Sequence, residues 1–256
     1  MALIKHEFPI LERDSEQTAV IMPNRNGLYD LPKKCVFAFL GETTDHFALK
    51  NKCEKVAVFD SITKDYPIYK IDYKGEEICF CQAPCGASAA AQIVDFVISY
   101  GVKYIIACGS CGALHDFEEN QIMIPTSALR DEGTSYHYIE PSRLIALNSQ
   151  AIKAIKMAAN QNGINYKECR TWTTDGFYRE TKDMVKYRMD EGCEVVDMEC
   201  SALAACAEFR DAVFGQILFT ADSLANLDEH DEREWGKSSF DSVLNLSFDA
   251  VFYVDK

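Results

Sequence analysis

The chain has 256 residues, 48% of them apolar and 26% charged, and a formal net charge of −14. That length suits one globular unit with a sizeable core, and an acidic chain without a basic cluster is a poor match for nucleic acid or an anionic membrane. No apolar run reaches the ~20 residues of a membrane span. The first residues show no export-signal pattern. Eleven cysteines, an odd number spread along the chain, read as free, mostly buried thiols of a reducing cytoplasmic setting.

Strands and helices alternate along the chain. CVFAFLG (35–41) and KVAVFD (55–60) read as strands, the first buried and ending in glycine. Residues 66–84 read as a hairpin turning at Lys74-Gly75. The segment 86–102 has small residues in its first turn, Ile93, Phe96, Val97 and Tyr100 at helical spacing, and Gly101 as a cap, which predicts a helix. KYIIAC (103–108) is a short buried strand, and 120–129 is a strand that Pro125 should bend. A helix is expected over 142–163, a strand over 166–174 and a polar-faced helix over 181–192. The extended piece 194–199 then runs into a helix at 200–210. A last strand spans 212–222 and a terminal helix 239–254. This order predicts one α/β domain over 1–256, a mixed or largely parallel central sheet flanked by helices. Nothing resembles a linker.

Ligand chemistry in such sheets gathers at the carboxyl ends of strands. Here strand 103–108 runs into Cys108-Gly109-Ser110-Cys111-Gly112, expected to be a loop wrapping an anion or a sugar. Strand 166–174 ends at Asp175-Gly176-Phe177, segment 194–199 at Asp197-Met198-Glu199, and the last strand at Thr220-Ala221-Asp222. Together they supply small backbone donors, an aromatic wall and carboxylates, a kit for a sugar and a flat heterocycle. Cys108 and Cys111 also have the spacing of a redox or zinc pair, but no second pair of ligands accompanies them, and no metal site is expected.

These motifs resemble the nucleoside phosphorylase superfamily, the purine nucleoside and uridine phosphorylases with their hydrolytic methylthioadenosine nucleosidase cousins. The match covers Gly109-Ser110-Cys111-Gly112-Ala113-Leu114, Asp175-Gly176-Phe177, Asp197-Met198-Glu199-Cys200-Ser201-Ala202 and Phe219-Thr220-Ala221-Asp222, in family order between about Gly86 and Asp222. The resemblance implies N-glycosidic cleavage through an oxocarbenium-like sugar. Glu199 would take the ribose 2′- and 3′-hydroxyls and favour the developing positive charge. Met198 would pack on the sugar and Phe177 on the base. Asp222 would protonate or hydrogen-bond N7 of a leaving purine. Ser110 and the backbone around Gly109, Cys111 and Gly112 would face phosphate or water. Asp197 joins the binding set, Asp175 would brace a loop, and His137 is expected either to reach a neighbouring subunit's sugar or to be an exposed loop histidine. The resemblance also implies a homo-oligomer, dimer or hexamer, and no cofactor beyond phosphate as co-substrate.

Residues 1–34 diverge from the family. Its glycine-rich start with an arginine becomes Met22-Pro23-Asn24-Arg25-Asn26-Gly27-Leu28, so Asn24 replaces a glycine and Leu28 an arginine. The second phosphate arginine falls on Ala107. Losing two bidentate donors weakens phosphate binding, which keeps a hydrolytic nucleosidase open. The nucleosidases' N-terminal glutamate motif is absent too, and Glu42 fits no pattern. Thr181 and Asp183 stand where uridine phosphorylases carry Gln and Arg, so Asp222 and a purine are favoured over uracil. The expectation is purine nucleoside phosphorolysis. Hydrolysis, a uridine phosphorylase-like activity and a non-catalytic nucleoside-binding module are the alternatives.

Overall fold

The computed structural model describes residues 3–25 and 27–256; Asn26, inside the divergent stretch, lies outside them. The strands are β1 (Lys34–Phe39), β2 (Glu54–Asp60), β3 (Asp65–Tyr73), β4 (Glu76–Gln82), β5 (Tyr104–Ala113), β6 (Ile122–Asp131), β7 (Leu144–Ala146), β8 (Tyr166–Thr174), β9 (Val195–Asp197) and β10 (Val213–Ser223). The helices are α1 (Thr43–Lys50), α2 (Ala87–Ser99), α3 (Ser149–Gln161), α4 (Lys182–Asp190), α5 (Cys200–Phe209) and α6 (Phe240–Tyr253).

The strands form one mixed sheet in the order β10-β6-β8-β9-β5-β1-β4-β3-β2, with β7 on β6. β10 also pairs with β5. The strands β5, β10, β6, β8 and β9 therefore close into a ring, and β1, β4, β3 and β2 extend from β5 as an open sheet. Two faces are covered, so the central strands are apolar on both sides, as buried parallel strands must be. Cys35, Phe37, Cys79, Cys81, Ile105 and Ala107 face α2 and α5. Their neighbours Val36, Ala38, Ile78, Phe80, Ile106 and Cys108 face α3 and α6. The predicted single α/β domain with a helix-flanked mixed sheet is the observed fold.

Three elements differ from expectation. Residues 109–113 are not a loop: β5 runs straight through them. It pairs with β1 as far as Gly109 and with β10 as far as Ala113, so most backbone donors there serve the ladder. Glycine is required in this strand because neighbours crowd it. A Cβ on Gly109 would stand 2.8 Å from Phe39 Cβ, and one on Gly112 2.8 Å from Val196 Cγ1. The same extension separates Cys108 from Cys111 by three strand residues, about 10 Å, beyond disulfide reach; Cys108 also packs in a different cluster from Cys111. Second, the helix expected from 142 begins at Ser149. Asn148 caps it, its side chain accepting from Gln150 N at 2.9 Å, and the preceding residues pair with β6 as β7. Third, α1 was not expected, being short and weakly amphipathic. The bend at Pro125 is present as a register shift between Pro125 and Ser127 in the β6–β8 pairing, and Lys74-Gly75 does turn the β3–β4 hairpin. Among the described residues no helix is long and apolar enough to cross a membrane.

Candidate active site

β5 pairs with β1 through Gly109 and with β9 from Gly112. Between these contacts the strand has no neighbour on that edge, and at this switch point a cavity of about 460 Å³ opens. Gly109, Ser110, Cys111 and Gly112 form one wall, and Val196, Asp197, Met198 and Glu199 form another. Phe177, Glu180 and Trp235 stand around the cavity with Cys85, Phe39, Gln216 and Asp222. All the candidate residues except His137 therefore meet in one space.

Asp197 and Glu199 are two residues apart but do different things. Asp197, the last residue of β9, accepts from Thr171 Oγ1 and Thr173 Oγ1 at 2.8 and 2.9 Å through one oxygen. Through the other it accepts from the backbone of Glu199 and Cys200 at 2.9 and 2.7 Å. One oxygen is thus engaged by β8 hydroxyls and the other by the start of α5. Asp197 lines the cavity, as expected of the binding set, and its hydrogen bonds brace the turn that carries Glu199.

Glu199 stands at the N-cap position of α5 and is 7% exposed. Its Oε1 accepts from Gly86 N at 2.6 Å, tying the starts of α5 and α2 together. Burial, and next the charge of Asp197, push its carboxyl up to about 8, against the pull of the Gly86 N–H. Met198 Sδ lies 3.8 Å from Cys85 Sγ beside it.

Asp222, 6% exposed near the end of β10 and also lining the cavity, has Oδ2 2.8 Å from His230 Nε2. His230 sits on a segment held to β10 by the Ser223–Asp231 bridge, and its ring lies 6.0 Å from that of Trp235. Glu180 also faces this end. Burial, then the Asp222 charge, raises its carboxyl to about 7, with His230 opposing. Phe177 is 40% exposed at the mouth, edge-on to Tyr178.

Sequence reading missed Glu180, His230, Trp235 and Gln216. Glu180 follows the aromatic loop and could have been found there. The other three carry no local signal and are brought in by the chain's return over the ring. Conversely, His137 is exposed and does not line this cavity. Its 3₁₀ turn (Thr134–His137) is anchored through Glu132, whose carboxylate accepts from Ser135 N and Ser201 Oγ. Asp175 braces the same loop, its Oδ2 accepting from Gly133 N at 2.9 Å. Thr181 caps α4 and Asp183 lies in its first turn. Leu28 is exposed, Ala107 is buried, and Glu42 opens α1 outside the cavity.

Residues 34–246 match the family model described as the phosphorylase superfamily. The chain belongs to the phosphorylase superfamily. The guanosine phosphorylase of Halorubrum lacusprofundi is 26% identical over 195 residues, 73% of this chain and 81% of that protein. A DeoD-type purine nucleoside phosphorylase of Bacillus cereus is 27% identical over 182 residues, 70% and 77% of the two chains. Among solved structures, AMP nucleosidase from Bacteroides thetaiotaomicron superposes with a TM-score of 0.72 at 19% identity, covering 88% of this chain and 90% of that one. The described lining residues of the cavity hold four carboxylates, Glu180, Asp197, Glu199 and Asp222, and neither lysine nor arginine.

Proposed function

We propose that this chain cleaves the N-glycosidic bond of a purine nucleoside, passing the sugar to phosphate and releasing free base and a (deoxy)ribose 1-phosphate. The observation that carries this reading is that Glu199 and Asp222, two buried carboxyls, line one cavity large enough for a nucleoside. The names of the curated relatives support a purine substrate and a phosphorylase.

In this reading Glu199 accepts hydrogen bonds from the ribose 2′- and 3′-hydroxyls with its free oxygen, and its charge favours the oxocarbenium-like sugar. Those donors favour the ionised carboxylate that burial disfavours. Asp222, whose Oδ2 lies 2.8 Å from His230 Nε2, delivers a proton to N7 as the base departs. General acid help of this kind is worth roughly 10²–10⁴-fold. Phe177 and Trp235 cover the base. Glu180 is the acceptor at the base end, and it favours 6-oxopurines, which present an N1–H donor, over adenine, which presents a lone pair there.

Phosphate meets no cation among the described lining residues, so phosphorolysis draws one from outside this cavity. A cytoplasmic homo-oligomer, dimer or hexamer, is part of the proposal, with a second subunit supplying it and the exposed His137 facing that subunit. The test is base release from guanosine, inosine, adenosine and uridine with phosphate, followed by chromatography. Guanine or hypoxanthine with a sugar 1-phosphate is the expected result. Release of uracil alone would replace it with the uridine reading, and binding without any release would leave a nucleoside-binding module.

A further inference from the structure

The side chain of Gln216 plays no part in the chemistry above. It lies on β10 directly beside Ala107 of β5, the position where the resemblance expects a phosphate arginine. It is 1% exposed, it lines the cavity, and its Oε1 has no hydrogen-bond partner among the described residues. A buried amide oxygen left without a partner is destabilising, and a wholly apolar residue would avoid that cost. Glutamine here makes sense when something in the cavity completes its hydrogen bonds.

Its position says what that something is. Gln216 stands six residues before Asp222 along β10, so it belongs to the end of the cavity away from the base. The group that attacks C1′ arrives from that end, across the sugar from the departing purine. Ser110, whose side chain is exposed, lines the same cavity. An amide and a hydroxyl are neutral, and each both donates and accepts. A phosphate dianion needs donors and positive charge, while a water molecule needs one donor and two acceptors. The surrounding carboxylates repel the dianion and leave water unaffected.

We infer that Gln216, with Ser110, positions a water molecule for attack on C1′, giving this enzyme a hydrolytic activity that does not need phosphate. The inference rests on the purine-nucleoside reading above. The water oxygen bonds to C1′ while the C1′–N9 bond breaks and its electron pair passes to the purine. N7 takes a proton from Asp222. The surplus proton of the attacking water passes to solvent, from which the Asp222–His230 pair is recharged. The products are free sugar and free base. Gln216 is a positioning residue: it holds the nucleophile and exchanges no proton.

The experiment follows guanosine or inosine in phosphate-free buffer made with ¹⁸O-water, using wild type, Q216L and Q216N. Wild type should release base together with free sugar carrying one ¹⁸O. Q216L, equal in size but apolar, should lower the phosphate-free kcat at least tenfold with KM within threefold. Q216N should recover part of the loss, and the melting temperatures of all three should show a folded protein. Base release that strictly requires phosphate overturns the inference and leaves the cleavage reading standing. Phosphate-free hydrolysis that is equal in Q216L and wild type overturns the role of Gln216. A rise in KM that accounts for the whole loss makes Gln216 a substrate-binding group and also overturns it. If no nucleoside releases base under any condition, the reading on which the inference rests has failed.

Discussion

Glu199→Gln separates function from stability in a way the structure quantifies. The carboxyl is buried and raised to about 8 from an ordinary value of 4.5. The folded state therefore holds this proton over a pH range in which the unfolded chain has released it. The stabilising contribution is full below the unfolded value near 4.5 and is lost as pH rises towards 8. Each unit corresponds to about 1.4 kcal/mol, so the loss amounts to about 3–5 kcal/mol across the window. The glutamine in E199Q keeps an oxygen that can accept from Gly86 N, but it cannot ionise. E199Q should thus match wild type in melting temperature near pH 5 and exceed it increasingly up to pH 8.5. For a chain of this size the final gap should be roughly 10 °C. Activity should move the other way: without a negative charge beside the sugar, kcat/KM should fall roughly 10²–10³-fold. Differential scanning fluorimetry across pH, paired with base-release kinetics, checks both. A melting-temperature gap that stays constant from pH 5 to 8.5 would refute the buried-carboxyl argument. Undiminished turnover would refute the role at the sugar.

Other expectations follow from the same geometry. Wild-type kcat/KM should rise with pH towards about 8, because the free enzyme must ionise Glu199, pushed up to about 8, and Glu180, pushed up to about 7; a profile flat from pH 6 to 8.5 would contradict this. Asp222→Asn should cost roughly 10²–10⁴ in kcat on purine nucleosides, and His230→Asn should cost less. Glu180→Gln should narrow the preference for inosine over adenosine, read from the ratio of kcat/KM. Gly109→Ala puts a methyl 2.8 Å from Phe39 Cβ and should destabilise the fold by about 1–3 kcal/mol, seen as a lower urea midpoint. Cys85 is exposed at the cavity while Cys108 and Cys111 are buried, so iodoacetamide should label Cys85 first. Bound nucleoside should slow that labelling; equal rates with and without nucleoside would place the ligand elsewhere.

Much of this protein was legible from local pattern. Apolar runs, caps and turn residues are short-range signals, so the alternation of strands and helices, the hairpin at Lys74-Gly75 and the bend at Pro125 follow from residues close in sequence. The motifs carrying Ser110, Phe177, Glu199 and Asp222 were legible for the same reason, since each is a short local pattern in or just after a strand. Other features depend on neighbours that no window contains. β5 continues through Gly109–Gly112 because β1 and β10 flank it, which turned an expected anion loop into a strand and separated two cysteines that looked paired. Asp197 is fixed against the start of α5 because Thr171 and Thr173 arrive from β8 to hold its other oxygen. Glu180, Trp235 and His230 joined the base end, and Gln216 came to lie beside Ala107, only when the ring closed. Sequence patterns report what each segment buries and where it stops. Partnership between charges, and the absence of a partner for a buried amide, are decided by the distances that tertiary packing creates.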